Sequence, residues 1–180
     1  HDDLQVLRVY EMRRCFEDLQ IPCRWVPDMG YGNGFPLYNY YSVFPYYLGA
    51  LLSFVFGYIN AVKVLFFIPL VLGGISMYFL AQLLFGKETA LVAAVIYQFA
   101  PYRALDSFVR GAVAESFALA LVPLLFYFSY KLIRKRSVLD FLLLSVSLAA
   151  FLTSHNIMSL LFLPVLLSWV VTLLWGDRRN

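Results

Sequence analysis

About 20 consecutive apolar residues make a helix long enough to cross the hydrocarbon core of a bilayer, and this sequence contains several such runs. Val64 to Phe85 holds nothing more polar than Ser76 and Gln82. Val113 to Tyr130 is a second run if Glu115 sits at its boundary, Val138 to Thr153 a third, and Ile157 to Trp175 the last. Ala90 to Pro101 is apolar but short. At about 1.5 Å per residue it cannot cover ~30 Å, so it runs on through Arg103 or stops part-way. Composition agrees: 62% of the chain is hydrophobic and 14% charged, against about half and a quarter in soluble domains. The expectation is an all-α polytopic membrane bundle of about five spans (64–85, 90–103, 113–130, 138–153 and 157–175) within a region 63–180.

Residues 1–62 read differently. Val43 to Tyr58 is opened by Pro45 and closed by Gly57, and its aromatic character suits the headgroup boundary. We therefore read 43–58 as an interfacial helix that does not cross. Alternation then puts Gly86 to Glu88, Lys131 to Arg136 and Gly176 to Arg179 on one side, with one, four and two cations. The opposite short loops hold Arg103 and Arg110 and, around His155, none. Positive-inside counting makes the first set cytoplasmic. This predicts a multi-pass plasma (cytoplasmic) membrane protein of the cell envelope with residues 1–62 outside. The sequence starts at His1 with no visible signal peptide, and we expect a segment of a longer protein lacking at least one N-terminal span.

On this topology the unusual polar residues collect at the outer face. Asp2 and Asp3 open a helix-forming stretch to Gln20; an acidic pair there either caps a helix or supplies a general base or metal ligand. Residues 21–49 are rich in Pro, Gly and Tyr and form an ordered irregular loop. Its Trp25, Asp28, Tyr31, Asn33 and Asn39 serve either an aromatic belt or a sugar platform, since rings stack on sugars and Asn or Asp bonds hydroxyls. Gly30, Gly32 and Gly34 lack the flanking strand and helix of a dinucleotide site. Arg103, Asp106 and Arg110, spaced i, i+3 and i+7, could form a salt-bridge ladder. Arg110 at a membrane boundary also suits a lipid-linked phosphate, and Glu115 opens an apolar span where a carboxylate is costly. His155 and Asn156 mark either a tight turn or a substrate contact. Two histidines and two cysteines are too few for a zinc ribbon or an iron–sulfur site. Cys15 and Cys23 would lie in an oxidising compartment, where a disulfide is allowed but not demanded. The cations are dispersed, so no nucleic-acid footprint appears.

Taken in order, Pro-Cys-Arg-Trp-Val-Pro-Asp (22–28), Gly-Tyr-Gly-Asn-Gly-Phe-Pro-Leu-Tyr-Asn-Tyr-Tyr (30–41), Ala-Pro-Tyr-Arg (100–103), Arg-Gly-Ala-Val-Ala-Glu (110–115) and Ser-His-Asn (154–156) resemble a bacterial membrane-protein family. It is the one labelled 6-pyruvoyl-tetrahydropterin synthase-related. That family is in turn similar to the multi-pass glycosyltransferases of the GT-C class. The pterin label is not read as chemistry, because the soluble synthases of that name bind zinc through three histidines. The GT-C resemblance implies an acidic catalytic residue in the first outer loop, a place that Asp2 or Asp3 matches, and a polyprenyl-phosphate sugar as donor. It makes Arg110 and His155 candidate phosphate contacts, Glu115 their support, and Trp25 to Tyr41 a wall of the sugar or acceptor pocket. A divalent metal is left open, and the acceptor is unknown. The competing expectations are a transporter or flippase of lipid-linked saccharides, with polar residues near mid-membrane on broken helices, and a non-catalytic membrane protein.

Overall fold

The computed structural model describes residues 4–177. Among these the chain is all-α, with eight α-helices and one π-helical segment: α1 (Gln5–Glu17), α2 (Leu37–Tyr40), α3 (Phe44–Phe85), α4 (Lys87–Gln98), α5 (Pro101–Ala104), the π segment (Leu105–Arg110), α6 (Val113–Lys135), α7 (Val138–Ser154) and α8 (Asn156–Asp177). Three helices are long and apolar enough to cross a membrane, Phe44–Phe85, Val113–Lys135 and Asn156–Gly176, while Val138–Ser154 is apolar but shorter. This is a membrane helical bundle.

A straight 42-residue helix would be about 63 Å long, roughly twice the hydrocarbon core. Here α3 breaks at Gly57, whose φ of 72° and ψ of 169° fall in a region open essentially to glycine alone. The two halves fold against each other. A Cβ on Gly49 would stand 2.7 Å from Leu65 Cδ1 and 2.8 Å from Val9 Cγ2, yet residues 49 and 65 would be about 24 Å apart in a straight helix. The missing side chain at Gly49 lets α1, the first half of α3 and the second half of α3 meet in one core with Val9, Met12, Tyr46, Ala50 and Leu65. Arg8 lies over this core as a cation on the Tyr41 ring, 4.4 Å from its centroid.

In the helical region α6 is the centre, packing on α3, α7 and α8. Its small residues Ala114, Ser116, Ala118 and Ala120 are buried and allow close helix approach, as apolar surroundings require when there is no hydrophobic drive between spans. Ser76 Oγ donates to the Ala120 carbonyl at 2.8 Å, linking α3 to α6. In contrast α8 turns Ile157, Leu160, Leu161, Leu167 and Trp175 outward, the surface expected to face lipid.

The loop at 18–36 is ordered by a disulfide, Cys15 to Cys23, and by an isolated antiparallel bridge between Val26 and Phe35. Gly34, at φ 80°, sits where a Cβ would overlap the Trp25 ring at 2.4 Å, so glycine permits the indole to lie on the backbone. This loop is brought to the same end of the bundle as the 98–113 and 154–157 connections. The Val43 amide bonds the Thr153 carbonyl at 3.0 Å, Asn156 Nδ2 bonds the Tyr40 carbonyl at 3.1 Å, and Gln5 Nε2 bonds the Gly111 carbonyl at 2.8 Å. We call this the loop-bearing end; the opposite end carries the Gly86 and Arg136 turns.

Candidate functional site

At the run Ala-Pro-Tyr-Arg (100–103), where the short apolar segment either runs on through Arg103 or stops, the helix is interrupted: α4 stops at Gln98 and α5 restarts with Pro101 at its first turn. The backbone then widens into the π segment, a form that recurs at functional positions, and closes at Gly111, which is left-handed at φ 65°. Gly111 reverses the chain into α6, so Glu115 falls in the first turn of that helix, where its charge is favoured by the helix dipole.

This reversal folds six side chains together. Arg110 Nη1 lies 3.0 Å from Asp106 Oδ1, 2.9 Å from Glu115 Oε2 and 3.3 Å from the Tyr102 hydroxyl. The Tyr102 hydroxyl donates to Glu115 Oε1. Ser116 Oγ donates to Asp106 Oδ2 at 3.0 Å and faces Ser107 Oγ at 3.2 Å. Asp106 is wholly buried, and the Arg110 side chain is 46% exposed. All these Arg110 contacts run through Nη1, and nearly half of the side chain remains exposed. Burial first, and then the neighbouring Glu115 charge, push the Asp106 carboxyl up to about 6 against the pull of Ser116 and Arg110. Two carboxylates sharing one guanidinium is the arrangement that separates proton affinities at functional sites.

His155 joins α7 to α8 next to this cluster. Its Nδ1 accepts the Met158 amide at 3.2 Å, which places the proton of the neutral ring on Nε2. Burial lowers its proton affinity, and the Glu115 charge partly restores it. Ser42, Tyr40, Tyr41, His155 and Asn156 line a cavity of about 180 Å³.

Not every expected residue arrives there. The ladder from Arg103 through Asp106 to Arg110 forms only in its second half. Arg103 turns away from the loop-bearing end: Nη2 donates to the Pro69 carbonyl at 2.9 Å, and the guanidinium lies 4.8 Å from the Tyr97 centroid. It occupies the notch left by Gly73, whose Cβ would stand 2.3 Å from Nη1. Pro69 and Gly73 are about half-way along 58–85, so this charge sits deep in the bundle and not at a face. Asp28 pairs with Arg14. Trp25 packs on Gly34, Asn33 Nδ2 closes its own turn onto the Gly30 carbonyl at 3.2 Å, and Tyr31 and Asn39 are exposed. Asp2 and Asp3 lie outside the described residues.

Sequence reasoning gave Asp106 only a place in the ladder and passed over Tyr102, Ser107 and Ser116. Asp106 and Tyr102 precede Arg110 by four and eight residues, a helical spacing that signals one face, and Ser116 follows Glu115. Glu11 was missed altogether. It is fully buried on α1 with both carboxylate oxygens lacking a hydrogen-bond partner, and burial followed by the Asp28 charge raises its proton affinity. Its signal was its place beside Met12, between Arg8 and Cys15, on the inward face. No group of three or more His, Cys, Asp or Glu among the described residues could hold a metal ion.

No curated protein and no solved structure matches the chain. Residues 38–180 match the family described as 6-pyruvoyl-tetrahydropterin synthase related domain; membrane protein. That match includes α3 to α8 and every side chain of the Arg110 cluster. The chain therefore belongs to the 6-pyruvoyl-tetrahydropterin synthase-related family of membrane proteins.

Proposed function

We propose that this protein is a membrane glycosyltransferase that uses a polyprenyl-phosphate-linked sugar donor at the loop-bearing end, which we take as the outer face because the opposite loops carry more cations. In this reading an acceptor nucleophile, taken as a hydroxyl although an amine would serve in the same way, attacks the anomeric carbon. The acceptor oxygen–carbon bond forms as the carbon–phosphate oxygen bond breaks. The electron pair leaves with the polyprenyl phosphate, and the hydroxyl proton passes to a carboxylate. Asp2 or Asp3 is that base, or a metal ligand. Arg110 meets the donor phosphate through the exposed part of its guanidinium, with His155 beside it. Tyr102, Asp106 and Glu115 hold the guanidinium, and the loop from Trp25 to Tyr41 forms the sugar or acceptor wall.

The observation that carries this reading is the half-exposed Arg110, fixed by two carboxylates and a phenol at the rim of an apolar bundle. A phosphate on a long apolar tail meets both a guanidinium and a lipid-facing surface only at such a rim. An arriving phosphate also drives Asp106 further toward its protonated form, which offsets the second carboxylate. A flippase for the same lipid-linked sugar is the second reading, favoured by Arg103, whose charge sits half-way along the second half of α3 beside Pro69 and Gly73.

Transfer from a labelled polyprenyl-phosphate sugar by the full-length protein in liposomes separates them. Turnover lost in Asp2→Asn or Asp3→Asn, with donor binding kept, supports the transferase. Donor crossing without transfer selects the flippase, and no donor binding removes both.

A further inference from the structure

A further cavity lies at the other end of the molecule, away from the Arg110 cluster. It has a volume of about 440 Å³ and opens between the ends of α6, α7 and α8, lined by Leu132, Ile133, Arg136, Ser137, Phe141 and Leu174. That size is within the range of small-molecule sites. Its walls are apolar, and its polar contribution comes from the Arg136–Ser137 turn.

The four cations of this turn are not equivalent. Lys131 is neutralised by Asp140 at 2.7 Å. Arg134 stacks on Tyr130, 5.7 Å from its centroid. Lys135 and Arg136 have no acidic partner among the described residues, and Arg136 is exposed. Arg136 also holds a left-handed backbone, φ 50° and ψ 36°, while capping α6. Asparagine or glycine is the common choice there, so an arginine at this position carries a conformational cost. The side chain so placed stands at the mouth of an apolar groove between helix ends.

We infer that this groove binds an anionic phospholipid, with its phosphate on Arg136 and Ser137 and an acyl chain along Ile133, Phe141 and Leu174. Charge complementarity decides the occupant: a cationic mouth over an apolar wall at a helix end fits an anionic headgroup on a hydrocarbon tail, and basic pockets between spans are used in this way. A zwitterionic lipid would bring its own cation beside the arginine with the phosphate, and a free phosphate would leave the apolar wall uncovered.

The test is lipid retention by the full-length protein in nanodiscs containing equal phosphatidylglycerol and phosphatidylcholine, read by native mass spectrometry. The wild type is expected to retain phosphatidylglycerol preferentially. Arg136→Gln should reduce that preference about fivefold, the equivalent of about 1 kcal/mol per cationic contact. Arg136→Lys should restore most of it. Lys87→Gln, a cation lost at the same end but outside the groove, should leave it unchanged. Equal losses in Arg136→Gln and Lys87→Gln would reduce the effect to general surface attraction and overturn the proposal. So would no preference in the wild type, as when another segment of the full-length chain fills the groove, or retention of free phosphate in place of lipid.

Discussion

The two ends of the bundle treat charge in opposite ways. At the loop-bearing end carboxylates are drawn inward, and Asp106 and Glu115 are buried beneath a half-exposed Arg110. At the other end the cations point outward, and the buried acid Asp140 is matched to Lys131. The second pattern is complete in itself, since each buried charge has one opposite partner. The first has two acids for one guanidinium, and a tyrosine and a serine spread the remaining hydrogen bonds. An end that keeps an excess of buried carboxylate retains a group able to take up a proton, and that difference is why the proposed transfer is assigned to it.

Four substitutions or measurements break or sharpen the contrast, from the largest effect downward. Arg110→Ala should cut sugar transfer by about 10²–10³-fold, the scale for losing one charge-stabilising donor; because it also leaves the buried Asp106 and Glu115 without their cation, the rate is read on protein shown to be folded by thermal unfolding, beside the charge-keeping Arg110→Lys. A similar rate for wild type and variant in a steady-state transfer assay would detach Arg110 from the reaction. At the opposite end Lys131→Met should act on stability and not on turnover. It leaves Asp140 buried without its partner, at a cost of about 3 kcal/mol. Lys131→Met combined with Asp140→Leu should recover most of it in thermal unfolding.

The third is a pH dependence. The Asp106 carboxyl is raised in the folded state to about 6, so between its ordinary value and that one the folded protein binds more protons than the unfolded chain. Stability is then fully present at low pH and falls as pH rises through about 4 to about 6. Asp106→Asn should flatten this slope in unfolding curves taken across that window, and an unchanged slope would assign it elsewhere. The smallest effect is expected of Glu17→Ala, which removes the exposed pair with Arg13 at 2.8 Å and should shift stability by only about 0.3 kcal/mol.

Much of this architecture was legible because lipid leaves few choices. Long apolar runs must be helices, and Gly57 stands at the end of the stretch read as interfacial, where its backbone now breaks α3. Arg110 and Glu115 were visible as charges at the edge of an apolar run, where a charge needs a reason. Arg103 misled because helical spacing assumes a continuous α-helix. The restart at Pro101 and the π turn rotate residues 105–110 relative to 103, and the notch at Gly73 captures the guanidinium. Asp106 was undervalued for the same reason, since its role depends on a chain reversal at Gly111. Glu11 could not be weighed at all without the loop that covers it. A carboxylate in a weakly patterned helix gives no sign of its burial until Cys15–Cys23 and the 18–36 loop close over α1.

The most direct test of the account is photolabelling of the full-length protein in membranes by a polyprenyl-phosphate donor whose sugar carries a diazirine, with labelled peptides located by mass spectrometry. The account predicts labelling within residues 100–116 and 154–157 and the aromatic loop at 25–41, competed by unlabelled donor. Labelling confined to the 131–141 turn, or label that the donor does not compete, would contradict it.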